Sequence, residues 1–249
     1  GFGAGALAYV AVRTYAFDGR ALNAALLAAL ATTLACAALG LVDDALGWKR
    51  GLSQPVKFVA AGLAAGPLLA VGAPLWAPLA VTLSANGLNI MVGYNGLEAG
   101  LGLLVLAGLA VLCAGTPWVS VLCGLMGGAL LAFLAFNRWP ARVFPGNVLT
   151  YGVGGLIGAV VALGVPAGPG PWVLLAPYLL QIALKARGRF AVESFAQARP
   201  DGTLENRQPG LYGLEHVAVA AWGARATELR VVYSLWGVQA AVAAAAVAL

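Results

Sequence analysis

The sequence predicts an all-α protein, a polytopic bundle of helices embedded in a membrane, and three observations predict it. Apolar residues make up 61% of its 249 residues and charged residues only 9%, against about 45–50% and 25% in soluble domains. Uncharged apolar runs recur along the whole chain, most of them long enough to cross about 30 Å of hydrocarbon as helices. The basic residues gather in alternate connections between those runs, which is the positive-inside asymmetry of membrane proteins.

The runs lie near residues 1–15, 21–42, 56–73, 75–92, 99–114, 118–136, 148–166, 171–184 and 229–249. They give about nine spans in one domain covering 1–249. The run at 171–184 is short and contains Pro177, which removes a helical hydrogen bond and predicts a kink. With the start of the chain inside, segments 43–55, 93–98, 137–147 and 185–228 face the cytoplasm. They and their flanks hold twelve of the fourteen Lys and Arg residues, leaving Arg13 and Arg20 outside. Trp48, Trp76, Trp118, Trp139 and Trp172 stand at run ends, where an interfacial belt would place them.

Within the runs, Gly62 with Gly66 and Gly154 with Gly158 have the small-xxx-small spacing that lets helices approach closely. Such Gly-rich faces also offer a homodimer. Cys36, Cys113 and Cys123 lack metal-ligand spacing and read as packing residues. The net charge of +5 belongs to the cytoplasmic loops, facing anionic lipid or an anionic substrate. Nucleic acid is excluded as a partner, because the basic residues are not interleaved with aromatics on a soluble face. The chain starts at Gly1 with no basic stretch before its first apolar run, so no cleavable signal is expected, and a helix is expected to be missing upstream. The segment 185–228 is too polar for hydrocarbon and too long for a plain connection. Its Phe190, Phe195, Leu211, Tyr212 and Trp222 predict a folded lid or an amphipathic piece.

Four inward-facing places carry polar chemistry. In "GLVDDALGWKR" the adjacent Asp43 and Asp44 arrive at the inner end of the second run. Paired carboxylates at a membrane mark metal, proton or substrate sites, the alternative being a solvated helix end. In "NGLNIMVGYNGLEAG" (86–100), Thr82, Asn86 and Asn89 are spaced i, i+4, i+7 and form one polar stripe. Asn95 and Glu98 follow in a turn built on Gly93, Gly96 and Gly100. One buried asparagine is ordinary interhelical glue, and three are not. In "FNRWPARVFPGNVLTYGVGG" a helix starts at Asn147, with Arg138 and Arg142 nearby. Its first backbone amides suit a phosphate, or a capped helix with positive-inside arginines. "KARGRF" supplies Arg187 and Arg189, a pair able to grip a diphosphate or to anchor a helix end. Acids for a cation, amide oxygens, phosphate-friendly turns and arginines on one face together describe a divalent-metal and nucleotide-diphosphate site. Magnesium, with manganese as the alternative, needs few protein ligands when substrate phosphates complete its shell.

These motifs, in this order, resemble the polyprenyl-phosphate N-acetylhexosamine-1-phosphate transferase family, and "NGLNIMVGYNGLEAG" resembles its eukaryotic and archaeal branch, which acts on UDP-GlcNAc and dolichyl phosphate. "LGLVDDALGWKR" is similar to the family's acidic motif, "NRWPARVFPGN" to its Val-Phe-x-Gly-Asp motif, and "RGRF" to its last basic motif. The resemblance covers essentially the whole chain. It implies ten spans, of which the first would be absent here, and a Mg-dependent transfer of sugar-1-phosphate from a UDP-N-acetylhexosamine to a polyprenyl or dolichyl phosphate, releasing UMP. It implies Asp43, Asp44 and Asn147 as the catalytic set, and Asn89, Asn147 and Asp44 as metal ligands. Asn86, Asn95, Glu98, Lys49, Arg50, Lys57, Arg187 and Arg189 are the implied substrate-binding residues, Asn95 beside the uridine.

Two positions depart from the family. Gly47 replaces an acid or amide three residues beyond the acidic pair, and Asn147 stands where the family has a metal-binding aspartate. The second loses a full negative charge beside a dication while keeping one oxygen donor. A catalytically disabled homologue that binds lipid or nucleotide is therefore a rival reading. A transporter is another, but transporters place charge near the midplane, and here it gathers at one end. A UDP-MurNAc-pentapeptide substrate is disfavoured, since the long loop lacks a histidine cluster. His216, the chain's single histidine, reads as an ordinary loop or lid residue.

Overall fold

The structure, a computed structural model, describes residues 1–16, 23–47, 50–165 and 168–249. Arg20, Trp48 and Lys49 lie outside the described residues. Twelve α-helices follow in chain order among those described: α1 (Phe2–Ala16), α2 (Ala24–Leu46), α3 (Gln54–Leu63), α4 (Gly66–Ala70), α5 (Ala77–Ile90), α6 (Leu97–Leu112), α7 (Pro117–Asn137), α8 (Asn147–Leu163), α9 (Gly170–Leu174), α10 (Ala176–Arg187), α11 (Leu214–Trp222) and α12 (Glu228–Ala248). Helices α2, α7 and α12 are each long and apolar enough to cross a bilayer, and α6 and α8 are shorter apolar helices. The protein is a helical membrane protein.

The apolar runs and the helices coincide closely, and the departures have local causes. The run at 56–73 is divided between α3 and α4, because Pro67 enters the first turn of α4 and cannot donate to the helix before it. The run at 171–184 is divided between α9 and α10 at Leu175, with Pro177 in the first turn of α10, which is the expected kink. Helix α2 runs on past the predicted end of its span, so Asp43 and Asp44 belong to its last turn. Trp118 is only 6% exposed: it packs inside the bundle and does not join the exposed Trp76 and Trp139.

Helix α8 is the axis of the bundle, buried from Thr150 to Ala162 and packed against α2 and α5. Small residues make this contact. A Cβ on Gly154 would overlap the backbone of Ala85, and one on Gly158 would lie 2.5 Å from Val81 Cα. The Ser84 hydroxyl donates across the seam to the Gly154 carbonyl at 2.7 Å. Gly62 faces Thr82 in the same manner, but Gly66 faces open space; its place is before Pro67, not at a helix seam. The three cysteines are buried and unbridged, as packing residues. Gly158→Leu is expected to cost about 3 kcal/mol or more, read as a lowered midpoint of thermal unfolding in detergent. Gly128→Leu, where the added Cβ meets nothing within 4 Å, is the control and costs little.

The segment between α10 and α12 is folded. Strands β1 (Gln197–Ala198) and β2 (Leu204–Glu205) pair antiparallel, with Gln197 opposite Glu205 and Ala198 opposite Leu204. Helix α11 follows, its Glu215 and His216 buried.

Candidate active site

The site is built where the end of α2 meets the start of α8. Gly40, one turn before the acidic pair, permits the approach, since a Cβ there would overlap the Asn147 carbonyl. Gly146 does the same from the other side, where a Cβ would lie 2.6 Å from Asp44 Oδ2. Asp44 therefore reaches the bare start of α8 and accepts from the backbone N–H of Asn147 at 3.0 Å and of Val148 at 3.2 Å. A carboxylate satisfies amides that the helix cannot, and lies at the positive end of its dipole. This corrects the expectation that those amides would bind a ligand phosphate: the anion at that helix start is Asp44 itself.

Asp43 lies deeper, 4% exposed. Its Oδ1 accepts from the backbone N–H of Leu52 at 2.6 Å, and its Oδ2 accepts from Asn147 Nδ2 at 2.8 Å. Lys57 Nζ closes an ion pair with Oδ2 at 2.5 Å. Asn147 passes the network on, accepting at Oδ1 from Asn89 Nδ2 at 2.5 Å. The same Asn89 nitrogen donates to Thr150 Oγ1 at 2.9 Å. Asn89 is thus turned with its nitrogen inward, and its oxygen is the atom it can offer a ligand.

Three cavities meet at this network. One of about 400 Å3 is bordered by Asp44, Asn89, Asn95, Glu98, Phe144 and Phe195. A second, about 410 Å3, lies over Asp43, Asp44, Gly51, Lys57 and Asn147. The third, about 400 Å3 and open, is lined by Gln54, Lys57, Asn89, Lys185, Ser194 and Phe195. An apolar groove of about 520 Å3, walled by Leu34, Met126, Phe133 and Leu149, reaches the same point at Gly146.

Of the residues expected from the sequence, Asp43, Asp44, Lys57, Asn89 and Asn147 come together here. Asn95 and Glu98 line the first cavity, and the Asn95 backbone N–H is held by Glu228 at 2.6 Å. Asn86, expected in the substrate-binding set, stands apart from these cavities. It is fully buried, accepts from the Tyr151 hydroxyl at 3.0 Å and donates to the Thr82 carbonyl at 2.9 Å, so it joins helices and borders no cavity described above. Arg187 and Arg189 are exposed and border none of these cavities: α10 ends at Arg187, and the chain reverses through left-handed backbone at Arg189 and Phe190, φ 51° and 56°. Arg50, Arg138 and Arg142 are likewise exposed, Arg142 lying over the Phe136 ring.

Other participants were not foreseen. Thr150 sits one turn beyond Asn147 on the same face of α8, a spacing the sequence displays. Lys185, 5% exposed, donates to the Val192 carbonyl at 3.0 Å. Gln181, one turn earlier, donates to both carboxylate oxygens of the fully buried Glu215 at 2.9 and 3.0 Å and to the Ile90 carbonyl at 3.0 Å. Gln181 also accepts from the Leu214 N–H at 2.7 Å. Polar residues at i and i+4 in an apolar run are a visible signal; their partner Glu215, thirty residues on, is not. His216 is buried too, accepting at Nδ1 from the Tyr212 N–H at 3.2 Å and facing the Glu193 carbonyl through Nε2 at 3.1 Å. These bonds fasten residues 190–195, which carry Ser194 and Phe195, to the end of α5 beside Asn89.

Burial pushes the Glu215 carboxyl up to about 7, with Lys185 and Gln181 opposing. The folded state then holds a proton that the unfolded chain gives up above its ordinary carboxylate range, so this contribution is lost as pH rises from about 4.5 to 7. His216 is pushed down, by burial and by Lys185, which works the other way below its ordinary value of about 6.5. Glu215→Gln isolates the first effect. Proteolysis within 188–207 is expected to accelerate from pH 5 to 7.5 in the wild type relative to the variant, and parallel profiles would refute it.

A helical membrane bundle here groups a carboxylate pair, a half-buried lysine and two asparagine amides at one helix junction. The chain belongs to glycosyl transferase family 4, whose model matches residues 26–165. It is 36% identical over 177 residues to a Saccharolobus solfataricus protein provisionally named a UDP-N-acetylglucosamine–dolichyl-phosphate N-acetylglucosaminephosphotransferase, covering 69% of this chain and 53% of that one. A Sulfolobus acidocaldarius protein of the same provisional name is 32% identical over 65% of this chain and 49% of its own length. A Clostridium novyi phospho-N-acetylmuramoyl-pentapeptide-transferase is 37% identical over 82 residues, 32% of this chain and 25% of its own. The chain spans about half the length of the first two relatives.

Proposed function

We propose that the protein transfers a sugar-1-phosphate, GlcNAc-1-phosphate by preference, from a UDP-sugar to a polyprenyl or dolichyl phosphate and releases UMP. The observation that carries this reading is the junction of Asp43, Asp44, Lys57, Asn89 and Asn147, with cavities on three sides and an apolar groove ending at Gly146. The names of the archaeal relatives support it. The nine spans, the cytoplasmic placing of the site and a homodimer belong to the same proposal.

The donor set can be tested against magnesium. Asp44, Asn89 and Asn147 border one cavity and offer oxygen, the atom a hard cation prefers. No group of three or more His, Cys, Asp or Glu residues that could hold a metal occurs among the described residues. The fit is therefore to an ion completed by diphosphate oxygens, held on the protein side by Asp44 and the amide oxygens of Asn89 and Asn147. Bound there, it would supply Lewis-acid stabilisation of the transferring phosphoryl group.

The chain's own residues do the rest. The lipid phosphate oxygen bonds to the β-phosphorus of the UDP-sugar, and the bond from that phosphorus to the bridging oxygen breaks, leaving with UMP. Lys57, fixed by Asp43, places positive charge beside the cavity where phosphate charge spreads in the transition state. Asp44, exposed and bordering two cavities, is the carboxylate that can meet the substrate. Asp43, buried and paired with Lys57, positions Lys57 and Asn147. The apolar groove takes the prenyl chain.

Purified protein in detergent, given UDP-GlcNAc, a polyprenyl phosphate and magnesium, is expected to release UMP, with a loss of about a hundredfold or more in Asp44→Asn. No UMP under these conditions would overturn the reading. A second reading, binding without turnover, is carried by Asn147 alone, and UDP-GlcNAc binding without UMP release would establish it.

A further inference from the structure

Gln181 and Glu215 form a buried polar pair that the proposed chemistry leaves without a part. Both are fully buried, and the backbone around them is shaped to admit them. A Cβ on Gly213 would overlap Glu215 Oε2 and lie 3.3 Å from Gln181 Nε2, and one on Gly87 would lie 2.6 Å from Tyr178 Cβ. Bare backbone at Gly213 therefore makes room for the carboxylate, and bare backbone at Gly87 lets α10 lie against α5. A buried carboxylate is costly unless donors meet it, so a pair placed in this way has something to hold.

What the pair holds is the end of α5. That helix stops at Ile90, and the carbonyls of a last turn have no partner within the helix. The Ile90 carbonyl accepts from Gln181 Nε2 at 3.0 Å and from Ser194 Oγ at 3.3 Å. Gln181 can stand only one way round, because its Nε2 faces three acceptors, the two Glu215 oxygens and the Ile90 carbonyl, while its Oε1 faces the Leu214 N–H. Turned over, the amide would set its oxygen against a carboxylate and a carbonyl and leave the Leu214 N–H unmet. Asn89 is the residue just before Ile90, and its Nδ2 is tied to Asn147 and Thr150 on α8. With its nitrogen fixed on α8 and its backbone fixed through Ile90, its oxygen is left to face the cavities it borders.

We propose that Gln181, oriented by Glu215, is a positioning residue for Asn89: it holds the last turn of α5 where the Asn89 oxygen can reach a cation shared with Asp44 and Asn147. This rests on the cation site proposed above and adds to it the part of the chain that shapes it. The segment between α10 and α12 thereby acts on the site from behind, through Glu215 and Ser194. Ligand atoms held by an outer layer of hydrogen bonds bind a metal more tightly than loose ones, and removing such a partner costs about 10–100-fold in affinity.

The test is binding of Mn2+ alone to the purified protein, read as loss of the free-ion electron paramagnetic resonance signal. Gln181→Met, close to glutamine in volume but without its hydrogen bonds, is expected to weaken the apparent affinity about tenfold or more. Glu215→Gln keeps an acceptor oxygen for Gln181 and is expected to stay within about threefold of wild type, whereas Glu215→Leu, which removes it, is expected to match Gln181→Met. Gln239→Met deletes a buried glutamine bond of the same kind between α12 and α9, Nε2 to the Leu174 carbonyl at 3.1 Å. It is expected to leave the affinity unchanged, which separates positioning from a general loss of stability. Gly213→Ala keeps every hydrogen-bonding group but displaces the carboxylate; it is expected to weaken binding too, and it carries the test if Gln181→Met does not fold. Unaltered affinity in the variant that carries the test, or an equal loss in Gln239→Met, would overturn the assignment. If that happens while wild type releases UMP from UDP-GlcNAc, the transferase reading stands without it. If wild type binds no Mn2+, the cation site falls and this assignment falls with it.

Discussion

Replacing Lys57 by Met is expected to destabilise the protein by about 3–5 kcal/mol and to abolish its activity. The Lys57–Asp43 contact is 2.5 Å, with side chains 15% and 3% exposed, so the pair is shielded from water on both sides. Without the ammonium, Asp43 keeps only the Leu52 N–H and the Asn147 amide, two neutral donors for a full buried charge. Removing one partner of a buried pair costs far more than removing both. The double change Asp43→Leu with Lys57→Met is accordingly expected to recover much of the loss, because apolar side chains replace both charges. Thermal unfolding of wild type, both single variants and the double variant in one detergent forms the cycle. A double variant no more stable than Lys57→Met would show that the cost does not come from an unpaired carboxylate.

The second large effect is expected at Asn147. Its Nδ2 bonds Asp43 Oδ2 at 2.8 Å, and its Oδ1 receives Asn89 with one lone pair, leaving the other to face a cation. Asn147→Asp replaces a donor by a carboxylate facing Asp43 at hydrogen-bond distance. The metal-free variant is expected to lose about 1–3 kcal/mol through the lost bond and like-charge contact. A dication relieves that repulsion, so magnesium is expected to raise the melting point of the variant more than that of wild type, with apparent magnesium affinity up about 10–100-fold. Equal magnesium shifts in the two proteins would remove residue 147 from the metal's surroundings.

The helical plan was legible because hydrophobic runs are a direct record of what a bilayer demands, and breaks at Pro67 and Pro177 carry their own chemistry. The acidic pair and Asn89 were legible because polar residues in apolar surroundings stand out. What each one does was less so. Asn86 and Asn89 share one stripe of α5, yet Asn86 meets Tyr151 inside the bundle and Asn89 meets Asn147 at its end; helical spacing gives the face and not the partner. Asp44 capping α8 depends on the contact of α2 with α8 across 103 residues of chain. Glu215 could not be foreseen at all, because its bond to Gln181 joins two helices through a long intervening segment. Arg187 and Arg189, read as phosphate ligands from their motif, stand at an exposed turn.

The central claim is that phosphorus moves to the lipid. UDP-GlcNAc labelled with radioactive phosphorus at the β position, incubated with protein, polyprenyl phosphate and magnesium, tests it in one extraction. The label is expected in the organic phase, in a lipid diphosphate sugar, while unlabelled UMP stays in the water. Label retained in water-soluble UDP, with sugar in the lipid, would mean cleavage at the glycosidic carbon and contradict the account.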